Sequence, residues 1–329
     1  MQYIFLLPLL ISFFVTLLFI PYWIKRVKEI NLTGIDIHKL DKRKVAEVGG
    51  ICVVAGFILG ILVYTGMHIF YFKSTDMRVS WLMSVLAAIL IVTIIGLIDD
   101  ILGWKKGLKQ WQKPFLTIGA ALPIIAIKGG TTVMYVPFLG SVDFGLVYTL
   151  VLIPIGVIGA SNAFNMLAGY NGLEAGMGAI ILSVLGFIAW REGSFWVSII
   201  AFTMVMALLA FLIYNKYPAK VFPGDTMTYS VGALIAIVAI LGNIEKFALF
   251  LFIPYFLEFI LKARGKFKKE SFAAVQEDGS LKLKDGIYGL EHLTIKFLSK
   301  IKKKVYENDV VYTLYCFEII LAVIAMTLL

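Results

Sequence analysis

The chain has 329 residues, 60% of them hydrophobic and 16% charged, with a mean hydropathy of +0.91. These values exclude an ordinary soluble domain and place the chain among integral membrane proteins. The formal charge of +9 then reads as lysine and arginine gathered in cytoplasmic loops, so no nucleic-acid partner is expected.

Cys52 and Cys316 each lie in an apolar run and lack metal-ligand spacing, so neither a disulfide framework nor a zinc site is expected. The first apolar run, 3–24, has no basic segment before it and no small-residue cleavage site after it. It is expected to stay as a first span rather than be removed as a signal peptide.

About 20 apolar residues cross the hydrocarbon of a bilayer. By that measure ten spans are expected, at 3–24, 48–67, 79–98, 113–128, 145–161, 174–190, 195–213, 227–242, 246–261 and 310–328. The fold class is therefore an all-α integral membrane bundle, one polytopic domain over 1–329, with small β-hairpins in its loops. Twenty-five of the thirty Lys and Arg fall in loops on one side, in 25–47, 99–113, 214–226 and 262–309. That asymmetry makes this side cytoplasmic.

Two loop segments carry further structure. Residues 131–145 alternate loosely around a Gly-Ser turn and predict an outer-face hairpin. In the long cytoplasmic loop 262–309, Ser271 to Asp285 predicts a second hairpin, turning at Asp278-Gly279. Leu290 to Val305 then sets Leu290, Leu293, Phe297, Leu298 and Ile301 at helical spacing among lysines, the pattern of an interfacial helix.

Three polar islands share the cytoplasmic face. Asp99 and Asp100 end the third span, followed by Lys105, Lys106 and Lys109. A solvated helix end neutralised by lysines would look the same. The segment 162–172, NAFNMLAGYNG, brings Asn162, Asn165 and Asn171 with Gly169 and Gly172 between two apolar runs. Asn162 and Asn165 share a face on a helix end, although Asn and Gly also favour plain turns. Phe222-Pro223-Gly224-Asp225-Thr226 places one carboxylate at the entrance of the eighth span, where an N-cap is the bland alternative.

A carboxylate with an amide oxygen suits magnesium, which is held by one or two protein oxygens plus substrate phosphates. A magnesium-phosphate site beside lysines implies phosphoryl transfer from a nucleotide. There is no P-loop or dinucleotide fingerprint, so such a site is expected to be assembled from several loops.

GLIDD at 96–100, NAFNMLAGYNGLEAG at 162–176 and FPGDT at 222–226 resemble, in order and topology, the polyprenyl-phosphate N-acetylhexosamine-1-phosphate transferases. The similarity is greatest to the dolichyl-phosphate N-acetylglucosaminephosphotransferase branch of eukaryotes and archaea. The histidine-rich motif of the bacterial branches is absent, and His292 stands alone in GLEHLT.

The resemblance implies transfer of a hexosamine 1-phosphate from a UDP-N-acetylhexosamine to a polyprenyl or dolichyl phosphate, releasing UMP. It implies Mg²⁺ as cofactor, with Mn²⁺ as a substitute, held by Asn165 and Asp225. It assigns Asp99, Asp100, Lys109 and Asp225 to catalysis. It gives Asn171 to the uracil edge, Gly169 and Phe222 to its two faces, and Ile35, Asp36, Ile37 and Glu47 to the nucleoside, with Asn162 also lining the substrate site. Arg264 and Lys266 stand in for the sugar contacts made elsewhere by an Arg-His-Arg cluster. The expected surroundings are membrane lipid, with room for a homodimer.

Two rival expectations accompany this reading: a bacterial-type transferase that starts a cell-wall or surface polysaccharide, and a transporter or flippase of nucleotide sugars or lipid-linked sugars. A transporter would place polar groups near the bilayer midplane, often in two related halves. Only Glu258 and Glu318 are candidates for that depth.

Overall fold

The fold is that of a computed structural model, which describes residues 2–73, 78–103, 107–136, 140–284 and 286–328. Lys105, Lys106 and Asp285 lie outside them.

Eight helical stretches are long and apolar enough to cross a membrane. They are α1 (Leu6–Glu29), α2 (Gly50–Gly66) with the π-turn that follows it, α3 (Arg78–Leu102), and α6 (Ile153–Met166) with the π-turn that precedes it. The remaining four are α7 (Leu173–Arg191), α8 (Phe195–Asn215), α9 (Gly224–Gly242) and α13 (Glu307–Thr327).

Two expected spans are broken instead. The fourth is divided into α4 (Gln112–Thr117), a 3-10 turn and α5 (Leu122–Ala126). The ninth is divided into α10 (Glu245–Leu251) and α11 (Ile253–Arg264). Proline explains both breaks: Pro123 and Pro254 sit in the first turn of α5 and α11, where the missing N–H is tolerated only if a new helix begins.

Each broken segment still runs from one end of the bundle to the other. Lys113 opens the fourth beside Asp225 at the start of α9, and the Thr131 N–H beyond its far end donates to Asn243 Oδ1 past the end of α9, at 2.8 Å. In the ninth, Glu245 accepts a hydrogen bond from Tyr148 at the entry to α6, and Gln110 donates to the Phe267 carbonyl just past α11, at 2.8 Å.

α9 is the axle of the bundle. Every residue from Thr226 to Gly242 is buried, and from Val231 onward the helix is apolar all round, as a fully enclosed helix is. Its small residues admit close neighbours, the main source of cohesion in lipid, where apolar contact alone brings little. Thr93 on α3 meets Ser230 on α9 at 2.8 Å. The outer faces of α1 and α13 keep Leu10, Leu18, Ile320 and Val323 exposed, as lipid-facing positions do.

Three two-stranded hairpins decorate the loops: β1 (Thr33–Ile35) with β2 (Lys44–Ala46), β3 (Val133–Val136) with β4 (Gly140–Asp143), and β5 (Ala274–Val275) with β6 (Leu281–Lys282). The third was expected from the sequence, and so was the second, except that Gly140 and Ser141, read as its turn, are the first residues of β4 and pair with Val136 and Tyr135. The first was not, because its short strands are set in a run of charge. It is held by a bridge from Ala46 to Val221, the Phe222 N–H donating to the Ala46 carbonyl at 2.8 Å and the Gly49 N–H to the Phe222 carbonyl at 2.9 Å.

The interfacial helix is shorter than expected, α12 (Leu290–Leu298). Lys302 and Lys304 leave helical order to pair with Asp309 and Asp278, at 2.5 and 2.7 Å.

Candidate active site

The ends of α3, α4, α6 and α9 converge at one end of the bundle. Asp99 and Asp100 leave the last turn of α3 about 100° apart, as adjacent positions on a helix of 3.6 residues per turn do, so each meets different partners around the start of α9.

Asp100 turns to α9 and caps it from outside. Its carboxylate accepts the N–H groups of Asp225 and Thr226, at 2.7 and 3.0 Å, and the Thr226 hydroxyl at 2.6 Å. A carboxylate there satisfies otherwise unpaired helix donors and complements the positive end of the helix dipole. Gly224 permits the approach, with φ +69° and space where an added Cβ would lie 2.4 Å from Asp100 Oδ2.

Asp225 is therefore not an N-cap. That position belongs to Pro223, and the Asp225 side chain points elsewhere, to Lys113.

Lys113, at the start of α4, is the centre of the arrangement. Its ammonium lies 2.6 Å from Asp99 Oδ2 and 2.9 Å from Asp225 Oδ2, and 5.8 Å from the Tyr229 ring centroid. All three charged side chains are at least three-quarters buried, so the pairing is little screened by solvent. Asp99 is further fixed by the Leu108 N–H at 2.5 Å. Lys109, which the resemblance assigns to catalysis, is exposed on the rim, where its N–H donates to Gln112 Oε1 at 2.8 Å.

One turn along α9, the Thr228 hydroxyl donates to Asn165 Oδ1 at 2.8 Å and lies 3.3 Å from the Asp225 carbonyl. Asn165 thus joins the cluster from the end of α6. Asn162, one turn earlier, donates to the Thr117 hydroxyl at 3.1 Å and to the Ile158 carbonyl at 2.8 Å.

A second cluster lies beside the first. The Asn171 amide donates to Asp36 Oδ2 at 3.0 Å, and its N–H donates to Glu307 Oε1 at 2.7 Å. The Lys39 ammonium pairs with Glu307 and, at 3.5 Å, with Asp36. All four residues are buried, so Asn171 ties the β1–β2 loop to the start of α13. Ile35 and Ile37 flank Asp36 as exposed side chains. Glu47 is half-buried, and burial together with the Asp100 charge raises its pKa. Phe222, half-buried, follows directly on the Ala46–Val221 bridge.

Gly169, at φ +107°, donates its N–H to Glu174 Oε1 at 2.8 Å, and the Phe272 ring covers its bare face. Phe272 also meets His38 edge-on at 5.7 Å, and His38 packs on Tyr170 at 4.3 Å. Burial among these rings pushes the His38 pKa down to about 4.

Phe272 lines a cavity of about 260 Å³ together with Lys268, Lys269, Glu270, Lys284, Tyr288 and His292. Arg264 and Lys266 are exposed and do not line it. Glu258 belongs to the same end of the bundle: it caps α12 by accepting the Leu290 N–H at 2.5 Å and pairs with Lys262 at 3.4 Å. Glu318 stays fully buried within α13.

The sequence reading missed Lys113, Thr228, Lys39, Glu307 and Phe272. For Lys113 a signal existed, since an ionisable group one residue before Pro114 in an apolar run is costly unless used. The others sit at positions whose partners lie far away in the chain, so no local pattern marks them.

A family model described as glycosyl transferase family 4 matches residues 82–243, the stretch that carries all three polar islands. A relative from Saccharolobus solfataricus, named as a UDP-N-acetylglucosamine--dolichyl-phosphate N-acetylglucosaminephosphotransferase, is 39% identical over 98% of this chain and 96% of its own. The chain belongs to this family. A relative from Sulfolobus acidocaldarius with the same name is 36% identical over 98% of this chain and 95% of its own. The phospho-N-acetylmuramoyl-pentapeptide-transferase of Streptococcus thermophilus is more distant, at 31% identity over 75% of each chain.

Proposed function

We propose that this family member transfers N-acetylglucosamine 1-phosphate from UDP-N-acetylglucosamine to dolichyl or another polyprenyl phosphate, releasing UMP. The observation that carries the reading is the grip of Lys113 on Asp99 and Asp225, with Asn165 held one helical turn away. Hard oxygens and an ammonium at one end of a membrane bundle suit a phosphate-bearing lipid and a nucleotide diphosphate. The excess of Lys and Arg on this side supports a cytoplasmic site.

The donor set fits Mg²⁺. Among the described residues no three His, Cys, Asp or Glu converge as an all-protein cage. Magnesium does not need one, since it is commonly held by one or two carboxylates with substrate phosphates. Asp225 and Asn165 would hold it, and when bound it would screen the charge of the diphosphate.

The lipid phosphate has a second pKa near ~6 and is largely dianionic at neutral pH, so it needs little general-base help. What remains is to bring two anions together in line. Lys113 does this electrostatically, Asp99 orients Lys113, and Asp100 fixes the helix that carries Asp225. The β1–β2 hairpin, Asn171, Gly169 and Phe222 frame the nucleoside. The cavity lined by Phe272, with Lys268, Lys269 and Lys284 beside Glu270, suits the polar groups of the sugar, in place of Arg264 and Lys266.

The test is to incubate the protein with a polyprenyl phosphate, Mg²⁺ and UDP-N-acetylglucosamine labelled in the sugar-linked phosphate. Label in the lipid with matching UMP, abolished by chelator and by Asp225→Ala, supports the proposal. Binding of the nucleotide sugar without either product, across the carriers tried, overturns it.

A further inference from the structure

α12 has two apolar faces, and only one is used by the protein. Leu290, Ile295 and Leu298 are buried against the bundle. Leu293 and Phe297 stand on its other face, and Ile301 follows in the turn just past its end; this ridge of three is 42%, 55% and 68% exposed.

The charge beside the ridge is also divided. Lys302 and Lys304 are neutralised by Asp309 and Asp278. Lys296, Lys300 and Lys303 are exposed and have no carboxylate within ion-pair distance among the described residues.

The ridge leads along the chain to the lipid-facing side of α13. The chain runs from Ile301 through exposed Tyr306 into α13, whose outward side carries Tyr312, Ile319 and Ile320. Tyrosines at such a junction mark the headgroup level of a bilayer.

We propose that α12 is a docking element for anionic phospholipid: Leu293, Phe297 and Ile301 enter the leaflet on the site's side, and Lys296, Lys300 and Lys303 bind its headgroups. An apolar ridge flanked by cations is the pattern of a helix lying in the plane of the interface. Lysines near an anionic surface each strengthen attachment about fivefold, from ~1 kcal/mol apiece. Glu258 of α11 holds the other end of α12, so the docked helix is fixed between lipid and bundle. The ridge and its lysines stand independently of the transferase reading, because neither residue set touches Asp99, Asp225 or Lys113.

The test uses the full chain with Cys52→Ala and Cys316→Ala, carrying a spin label at Leu293→Cys, Phe297→Cys or Ile301→Cys in turn. Each form is placed in nanodiscs of phosphatidylcholine, with and without phosphatidylglycerol. Oxygen should broaden all three signals more than a water-soluble nickel chelate does, and phosphatidylglycerol should deepen all three labels. Replacing Lys296, Lys300 and Lys303 together by Gln should abolish that deepening while the labels keep their oxygen access.

Nickel access at all three positions would overturn the proposal, as would a depth that ignores lipid charge. Dipolar broadening between labels on two copies would also overturn it, by assigning the ridge to a second copy of the chain.

Discussion

Replacing Lys113 by Met removes the one cation that, among the described residues, touches both Asp99 and Asp225. At an effective dielectric of about 20, an ammonium 2.6 Å from one carboxylate and 2.9 Å from another is attracted to each by about 6 kcal/mol before desolvation. Desolvation cancels much of this, and truncating one member of a buried pair typically costs about 3–5 kcal/mol. Lys113 is 23% exposed, so the lower end applies. If the loss falls on the transition state, about 3 kcal/mol lowers kcat/KM by about 150-fold. Lys109→Met removes an exposed charge, worth at most ~1 kcal/mol, and should cost less than about tenfold. The assay is labelled-phosphate transfer at saturating Mg²⁺, with thermal midpoints in detergent to score folding. A larger loss for Lys109→Met than for Lys113→Met, or a Lys113→Met rate within tenfold of the parent, would refute the assignment of the phosphate-facing lysine to Lys113.

Asp100→Ala removes the acceptor of three hydrogen bonds and should destabilise the protein by about 3 kcal/mol, read as a lower thermal midpoint, with activity falling as the start of α9 frays. Thr228→Val deletes the donor to Asn165 and should weaken Mg²⁺ activation about fivefold, ~1 kcal/mol, with the midpoint nearly unchanged. His38 is held neutral, its pKa depressed from 6.5 to about 4. Its contribution is complete above pH 6.5 and is lost as pH falls through about 4, some 3 kcal/mol in all. Thermal midpoints of His38→Phe should show a shallower acid loss than the parent over that window. Asp99→Asn should keep a measurable rate because its role is electrostatic. Trapping a phosphorylated Asp99 or Asp225 during turnover would show a covalent route instead.

Much of the fold was legible because hydropathy and charge act along the chain. The continuous spans follow from apolar length, and the common side of the three islands from lysine placement. The breaks at 118–121 and at Phe252 were marked by Pro123 and Pro254, yet a window average cannot distinguish a broken crossing from a whole one. The β1–β2 hairpin was hidden for a different reason. Its stability comes from Val221, Phe222 and the buried Lys39–Glu307 pair, partners remote in sequence.

The site divides along the same line. Asp99, Asn165 and Asp225 stood out as polar residues in apolar text, and the structure gathers them around one ammonium. Asp100 stood out equally and does something else: its carboxylate spends all its contacts on the first turn of α9. A sequence cannot distinguish these two neighbours, because their roles follow from which face of α3 each occupies relative to α9. That geometry separates their variants. Asp100→Asn keeps one acceptor oxygen but presents an amide to the donors of Asp225 and Thr226, so its loss of activity should follow its loss of stability. Asp99→Asn leaves the cap intact and Lys113 still paired with Asp225, so its loss should exceed what its thermal midpoint accounts for, with the midpoint lowered less than in Asp100→Asn. If Asp100→Asn instead keeps the parental midpoint and loses rate, Asp100 acts on the reacting groups directly, and its place as the external cap of α9 is not its function.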